Sequence, residues 1–227
     1  MRPTIVVSVV VIAAASVFNP ARAQSDDDAL KIYAVNVVKT NPFQKPFTGY
    51  GIYLGDGAVL TAAHVIGRFG FLKSPHVLIA GQDLAATIVK EGSLAQTDLT
   101  LLAVDEARLP IGLRLRRNPV CKQPPRVGQD VVLVIPERTE RSQIISPQLI
   151  HPTLRERFNA LITEPAGSGS GVFDADRRCL MGIVSRKLSK YHYRMEHGQI
   201  VAEDAGFAGY FIPASEIADF LPQKFRF

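Results

Sequence analysis

EPAGSGSGVFD, residues 164–174, is the stretch on which the reading of this chain turns. Ser168 and Ser170 each stand between glycines, and Val172-Phe173 opens an apolar run just beyond them. A serine hydroxyl is a poor nucleophile until a base takes its proton. That base in turn needs an anion to orient it and to stabilise its charged form. Glycines around the serine let the backbone tighten until two N–H groups converge on one oxyanion. The other two ingredients lie far upstream, His64 in TAAHV (61–65) and Asp98 in TDLTLL (97–102). Each peptide alone says little; together, in the order His, Asp, Ser, they form a constellation suited to acyl transfer.

His64 follows a Thr-Ala-Ala turn at the end of an apolar run, which leaves one ring nitrogen free to face a cleft as a general base. His76, His151, His192 and His197 have no such context and read as surface residues. Asp98 heads the apolar LTLL run, so burying that run leaves its carboxylate at the floor of the same cleft; Asp83 and Asp105 are the fallback acids. Between the serines, Ser168 fits better as the nucleophile, because Ser170 is then the small residue two positions on and the strand opens at Val172. Choosing Ser170 pushes Asp174 into the start of that strand.

The first residues have the form of an export signal. Arg2 precedes the apolar IVVSVVVIAAASVF, and Ala21-Arg22-Ala23 offers a small-x-small cleavage site. The run is shorter than the roughly 20 residues that span a bilayer, so no stable membrane anchor is expected after cleavage, and the destination is secreted or periplasmic. Removing 23 of 227 residues leaves 204, enough for one domain or two small barrels sharing a core. Two arginines leave with the signal, so the net charge of +5 falls to about +3, which is not the footprint of a nucleic-acid binder. SDDD at 25–28 reads as a solvated N-terminus. In an exported chain Cys121 and Cys179 are expected to pair, with two buried free thiols as the alternative. There is no H-E-x-x-H and no paired C-x-x-C, so neither metal nor cofactor is expected.

Along the chain, strands are predicted within 31–40, at 49–54, 58–61, 76–81, 85–91 and 99–105, with a turn at Gly55-Asp56-Gly57 and a helical turn at 62–65. The prolines of NPFQKPFTG (41–49) mark a loop. The Pro- and Arg-rich 106–130 suits a linker between two halves. Further strands are predicted at 131–136, 143–150, 160–165, 171–174, 180–185 and 207–213, followed by a short helix over 214–222 with Ser215 as its N-cap.

VLTAAHV, TDLTLL and GSGSG followed by an apolar strand resemble the three catalytic blocks of the chymotrypsin/trypsin-like serine peptidases, especially their compact bacterial members. The likeness runs from about residue 47 to 213 and matches that family's His, Asp, Ser order. It implies an all-β fold of two six-stranded antiparallel barrels with a short C-terminal helix. His64 and Asp98 belong to a first barrel (24–110) and Ser168 to a second (111–227). It implies an oxyanion hole over Ala166, Gly167 and Ser168, with the N–H groups of Ala166 and Ser168 as donors. Thr163 and Gly209 would line the substrate pocket, with Ser185 behind Asp98. Two features depart from the family. Gly167 stands where the trypsin branch has an Asp, and Ile162 falls at the pocket base where Lys/Arg cleavage would want an acid. The segment 186–208 is longer than usual, and its Arg186, Lys187, Lys190 and Arg194 offer either a solvated loop or a preference for acidic substrates. The function implied is an exported serine endopeptidase acting on proteins or peptides. The alternatives are a non-catalytic binding protein of the same fold and an esterase with the same triad.

Overall fold

The computed structural model describes residues 26–41, 44–67, 75–196 and 199–225. The expected signal at 1–23 and His197 lie outside them. Among the described residues, twelve strands form two closed antiparallel barrels. The first comprises β1 (Ala34–Asn41), β2 (Gln44–Gly55), β3 (Ala58–Ala62), β4 (His76–Ile79), β5 (Gln82–Glu91) and β6 (Leu99–Val104). The second comprises β7 (Asp130–Val134), β8 (Thr139–Ile145), β9 (Leu161–Ile162), β10 (Gly171–Asp174), β11 (Leu180–Glu196) and β12 (Gln199–Pro213). Within the barrels the neighbours run β1-β2-β3-β6-β5-β4 and β10-β11-β12-β9-β8-β7. Short α-helices lie at α1 (Ala63–Ile66), α2 (Ile111–Arg114) in the inter-barrel linker, and α3 (Ala214–Phe220).

Strand alternation explains why these strands are apolar throughout. Val59 and Leu102 point into the first barrel with Val35, Tyr53 and Leu84. Their neighbours Leu60 and Leu101 point the other way, into a core shared with Val132, Phe173, Ile183 and Ile212 of the second barrel. A strand buried on both faces needs no polar side, which is why all five residues of β3 are buried. This two-sided burial fixes the barrels against each other and holds steady the cleft between them.

Several expected elements differ in extent. Residues 29–33 form a 3-10 turn rather than the start of a strand, with Leu30 buried and the Tyr33 ring stacked 6.4 Å from that of Phe173. β2 begins at Gln44 and takes in Pro46, so the loop expected over 41–49 is mostly strand. β8 stops at Ile145, because Pro147 opens a 3-10 turn stapled by the Ser146 hydroxyl accepting from the Gln148 N–H. β9 keeps only two residues. Ser215 is not the N-cap of α3; Pro213 occupies that position and Ser215 lies in the first turn. The far end of α3 is capped from the first barrel, where the Lys90 ammonium donates to the Phe220 carbonyl at 2.7 Å.

Of the N-terminal acids, Asp26 is exposed and Asp28 partly so, but Asp27 is not solvated. Asp27 is 1% exposed; it accepts from Arg141 on β8 at 2.8 Å and from Arg178 at 2.7 Å, while Asp28 accepts from Thr139 at 3.0 Å. The segment before the first barrel is thereby tied to the second. Asp27→Asn removes the charge from both bonds but leaves two arginines that still reach water. We therefore expect a loss of about 2–3 kcal/mol, read as a lower urea midpoint with an unchanged m-value. A midpoint within error of wild type would show that the clamp contributes nothing.

Cys121 and Cys179 form a disulfide with Cα atoms 5.1 Å apart, joining the linker to the β10–β11 turn. Closing a separation of 58 residues is worth about 4 kcal/mol by loop entropy.

Candidate active site

His64 sits in α1, directly after β3, where Gly67 closes the turn by returning its N–H to the Ala63 carbonyl at 2.9 Å. Asp98 immediately precedes β6, the strand paired with β3, so one ladder brings the two residues together across 34 positions. The join is tight. The Asp98 carbonyl accepts from the Ala63 N–H at 3.0 Å, and its carboxylate accepts from the His64 backbone N–H at 3.0 Å and from Nδ1 at 2.8 Å. A third donor is the Ser185 hydroxyl on β11, at 2.5 Å.

Asp98 is 4% exposed. Burial alone would raise its pKa, but the hydrogen bonds from His64 and Ser185 and the attraction of the imidazole outweigh that and hold the carboxyl below its usual range. An ionised carboxylate only accepts, so Nδ1 carries a proton and Nε2 is the ring nitrogen not engaged by Asp98. The fallback acids are committed elsewhere, Asp83 to His76 at 2.8 Å and Asp105 to the Ala107 N–H at 3.0 Å.

The GSGSG loop is clamped to the first barrel through Tyr50. The Tyr50 N–H donates to the Ser168 carbonyl at 3.0 Å, and its own carbonyl accepts from the Thr61 hydroxyl at 2.6 Å. Gly169 has φ +88° and lies so close that an added Cβ would fall 1.8 Å from the Tyr50 carbonyl oxygen. No other residue fits there. At Gly167 an added Cβ would meet the Tyr50 ring at 2.8 Å, so a side chain there would require that ring to move. Tyr50 is the residue that sequence reading passed over, because nothing local to GYGIYLG connects it with a loop more than a hundred positions away.

The two serines differ in setting. Ser170 is fully buried, its hydroxyl donating to the Gly167 carbonyl at 2.7 Å. Ser168 is half-buried, its hydroxyl donating to the Ser185 carbonyl at 3.1 Å. Ser185 thus touches both Asp98, through its hydroxyl, and Ser168, through its carbonyl. Among the described residues no hydrogen bond joins Ser168 to His64, and the N–H groups of Ala166, Gly167 and Ser168 donate to no backbone acceptor.

Thr163 is half-buried, its hydroxyl 2.9 Å from that of Ser142, and Gly209 pairs with Ile162 where β12 meets β9. Beside His64 opens a cavity of about 570 Å³ walled by Gly92, Ser93, Leu94 and Gln96. Tyr210 lies nearby, its ring 4.9 Å from that of Phe158, and burial pushes its phenol up to about 12. A folded pKa above the ordinary 10 means stability that is full below pH 10 and lost as pH rises through 12, amounting to roughly 2–3 kcal/mol. Urea unfolding at pH 9 and pH 11.5 should show this fall, and Tyr210→Phe should flatten it. Equal slopes in the two proteins would refute the assignment.

Residues 49–183 match the family model for the trypsin-like peptidase domain, more than half of the chain. The chain belongs to the trypsin-like peptidases. Among solved structures it resembles the active form of the Rv3671c protease from M. tuberculosis, at TM-score 0.60 and 20% identity over 97% of this chain and 92% of that one. It also resembles the apo MamO protease domain from Magnetospirillum magneticum (TM-score 0.54, 16% identity, 86% and 98% covered). Tobacco etch virus protease complexed with product matches at TM-score 0.53 and 11% identity, over 88% and 81%. At these identities the solved structures speak to the fold alone. No curated protein matches the chain. Among the described residues no helix is long and apolar enough to cross a membrane.

Proposed function

We propose that the protein is an exported serine endopeptidase that cuts peptide bonds through an acyl-enzyme, with Ser168 as nucleophile, His64 as general base and Asp98 as the acid that orients it. The observation that carries this reading is the fixed His64–Asp98 pair, with Nδ1 bonded to a buried carboxylate at 2.8 Å. In the proposed reaction the Ser168 hydroxyl exchanges its bond to the Ser185 carbonyl for one to His64 Nε2. Such bonds are often unmade in unliganded enzymes and form with substrate. His64 then takes the hydroxyl proton as Ser168 Oγ attacks the carbonyl carbon. The oxyanion is received by the free N–H groups of Ala166 and Ser168, each worth roughly 3 kcal/mol in the transition state. His64⁺ protonates the leaving amine, and water, deprotonated by the same imidazole, resolves the ester. Thr163 and Gly209 form the walls of the pocket for the residue before the cut, and Ser185 keeps Asp98 in place from behind.

A second reading, a binding protein that has kept the fold, draws on the Ser168 hydroxyl being donated to Ser185 rather than to His64. Incubating the mature protein with a mixed peptide library at pH 7–8 and identifying the products by mass spectrometry separates the two. Discrete internal cuts that disappear in His64→Ala support the peptidase. Intact peptides, in a folded protein that nevertheless retains them on a column, support the binding protein.

A further inference from the structure

Among the described residues, β11 beyond Val184 pairs with β12 on one edge only; its pairing with β10 ends at Ile183. The other edge starts at the Ser185 carbonyl, the same group that accepts from Ser168, and runs outward as an unpaired strand on the side of the nucleophile. An extended peptide adds naturally to such an edge, with its side chains reading whatever stands beside it. What stands beside it is positive. The Arg186 guanidinium lies 5.2 Å from the centre of the Phe158 ring, and that of Arg157 lies 5.4 Å from the same centre. The two cations are therefore no more than 10.6 Å apart, the sum of those distances.

Neither arginine forms an ion pair among the described residues. Arg186 reaches only the Ser185 hydroxyl, at 3.4 Å, and Arg157 only the Leu94 carbonyl, at 2.8 Å. Leu94 in turn walls the cavity beside His64, so Arg157 bridges the barrels at the rim of the proposed site. Asp98, the nearby buried acid, is already engaged by His64 and Ser185. Two guanidinium forks resting on one ring, held in place yet unneutralised, form a receptor for a carboxylate. Arginine suits this better than lysine, because its planar fork bonds both oxygens at once.

Resting on the peptidase reading above, we propose that Arg157 and Arg186 form a specificity subsite for an acidic side chain, Asp or Glu, on the part of the substrate that lies along β11. The site adds no chemical step; it orients the peptide and strengthens its binding. A substrate carboxylate also relieves the repulsion between the two cations, which an amide of the same shape cannot do.

The test uses paired peptides carrying Glu or Gln at each of the four positions on either side of the cut. With the wild-type protein, kcat/KM should favour Glu about five- to tenfold at one position along β11, and the ratio should shrink at 0.5 M salt. Arg157→Gln and Arg186→Gln should each bring the ratio close to one while cleavage of an uncharged peptide persists, and Arg186→Lys should keep part of it. If no position prefers Glu, or if the preference survives both Gln variants in folded protein, the proposal is wrong. Binding of the same pairs to Ser168→Ala, followed by fluorescence anisotropy, separates this from failure of the peptidase reading. A Glu preference in binding that depends on both arginines, without cleavage by the wild type, would sink the peptidase and leave the subsite standing.

Discussion

Replacing Ser168 by alanine is expected to slow peptide hydrolysis by on the order of 10⁵–10⁶-fold, with little change in stability. Only one oxygen is removed, from a half-buried position where its single partner is the Ser185 carbonyl, itself beside the open cleft. Without Oγ no ester forms, and what remains is the modest help of the oxyanion N–H groups and of binding. Ser170→Ala should behave in the opposite way. Its hydroxyl is buried and ties the Gly167 carbonyl at 2.7 Å, so its loss should cost about 1 kcal/mol of stability while leaving an active, if looser, enzyme. Steady-state kinetics on one cleaved peptide, beside urea denaturation of both variants, reads the contrast. If Ser170→Ala were the inactive one, the nucleophile would have been assigned to the wrong serine.

Asp98→Asn is expected to lower kcat by about 10⁴-fold, the size of effect seen for the corresponding change in the Ser-His-Asp template. Three donors converge on this carboxylate: the His64 N–H, His64 Nδ1 and the Ser185 hydroxyl. An asparagine offers one acceptor oxygen and a donor NH₂. The amide nitrogen then faces a donor unless the imidazole shifts its proton to Nε2, and that shift removes the base. Stability should change as well, in a pH-dependent way. Because the folded pKa of Asp98 lies below the ordinary value of about 3.9, its contribution is present above that pH and is lost as pH falls through the lower folded value. The stability gap between wild type and Asp98→Asn should thus narrow from pH 7 to pH 3. A gap that widened in acid would contradict the assignment of Asp98 as a stabilised carboxylate.

Much of the fold was legible because its signals are local. Gly55-Asp56-Gly57 takes up positive φ at all three residues, and β2 and β3 flank it as the D-G turn predicts. The apolar runs at 99–105 and 131–136 carry β6 and β7, which end at Val104 and Val134, because both of their faces are buried. What escaped is non-local. The acids at 25–28 look like a solvated tail until Arg141 and Arg178 arrive from more than a hundred residues away to meet Asp27. The segment 186–208 reads as a charged loop, yet β11 runs on to Glu196 and β12 begins at Gln199, the two paired antiparallel. A period-two signal was available there in Tyr191, Tyr193 and Met195, which lie exposed at alternate positions opposite Asp204, Ala202 and Ile200. The interspersed charges outweighed it. At the proposed site, His64, Asp98 and Ser168 stand out in the sequence because their neighbours constrain them. The clamp by Tyr50 and the arginine pair at Phe158 could not, since the first depends on the two barrels meeting and the second on a loop before β9 meeting β11.

The most direct test of the central claim, that Ser168 is an activated nucleophile, is covalent labelling of the mature protein with a fluorophosphonate at neutral pH, with the adduct located by mass spectrometry. The account predicts a single label on Ser168 that is lost in Ser168→Ala, retained in Ser170→Ala and strongly slowed in His64→Ala. A folded protein that takes no label, or takes it on Ser170, would contradict it.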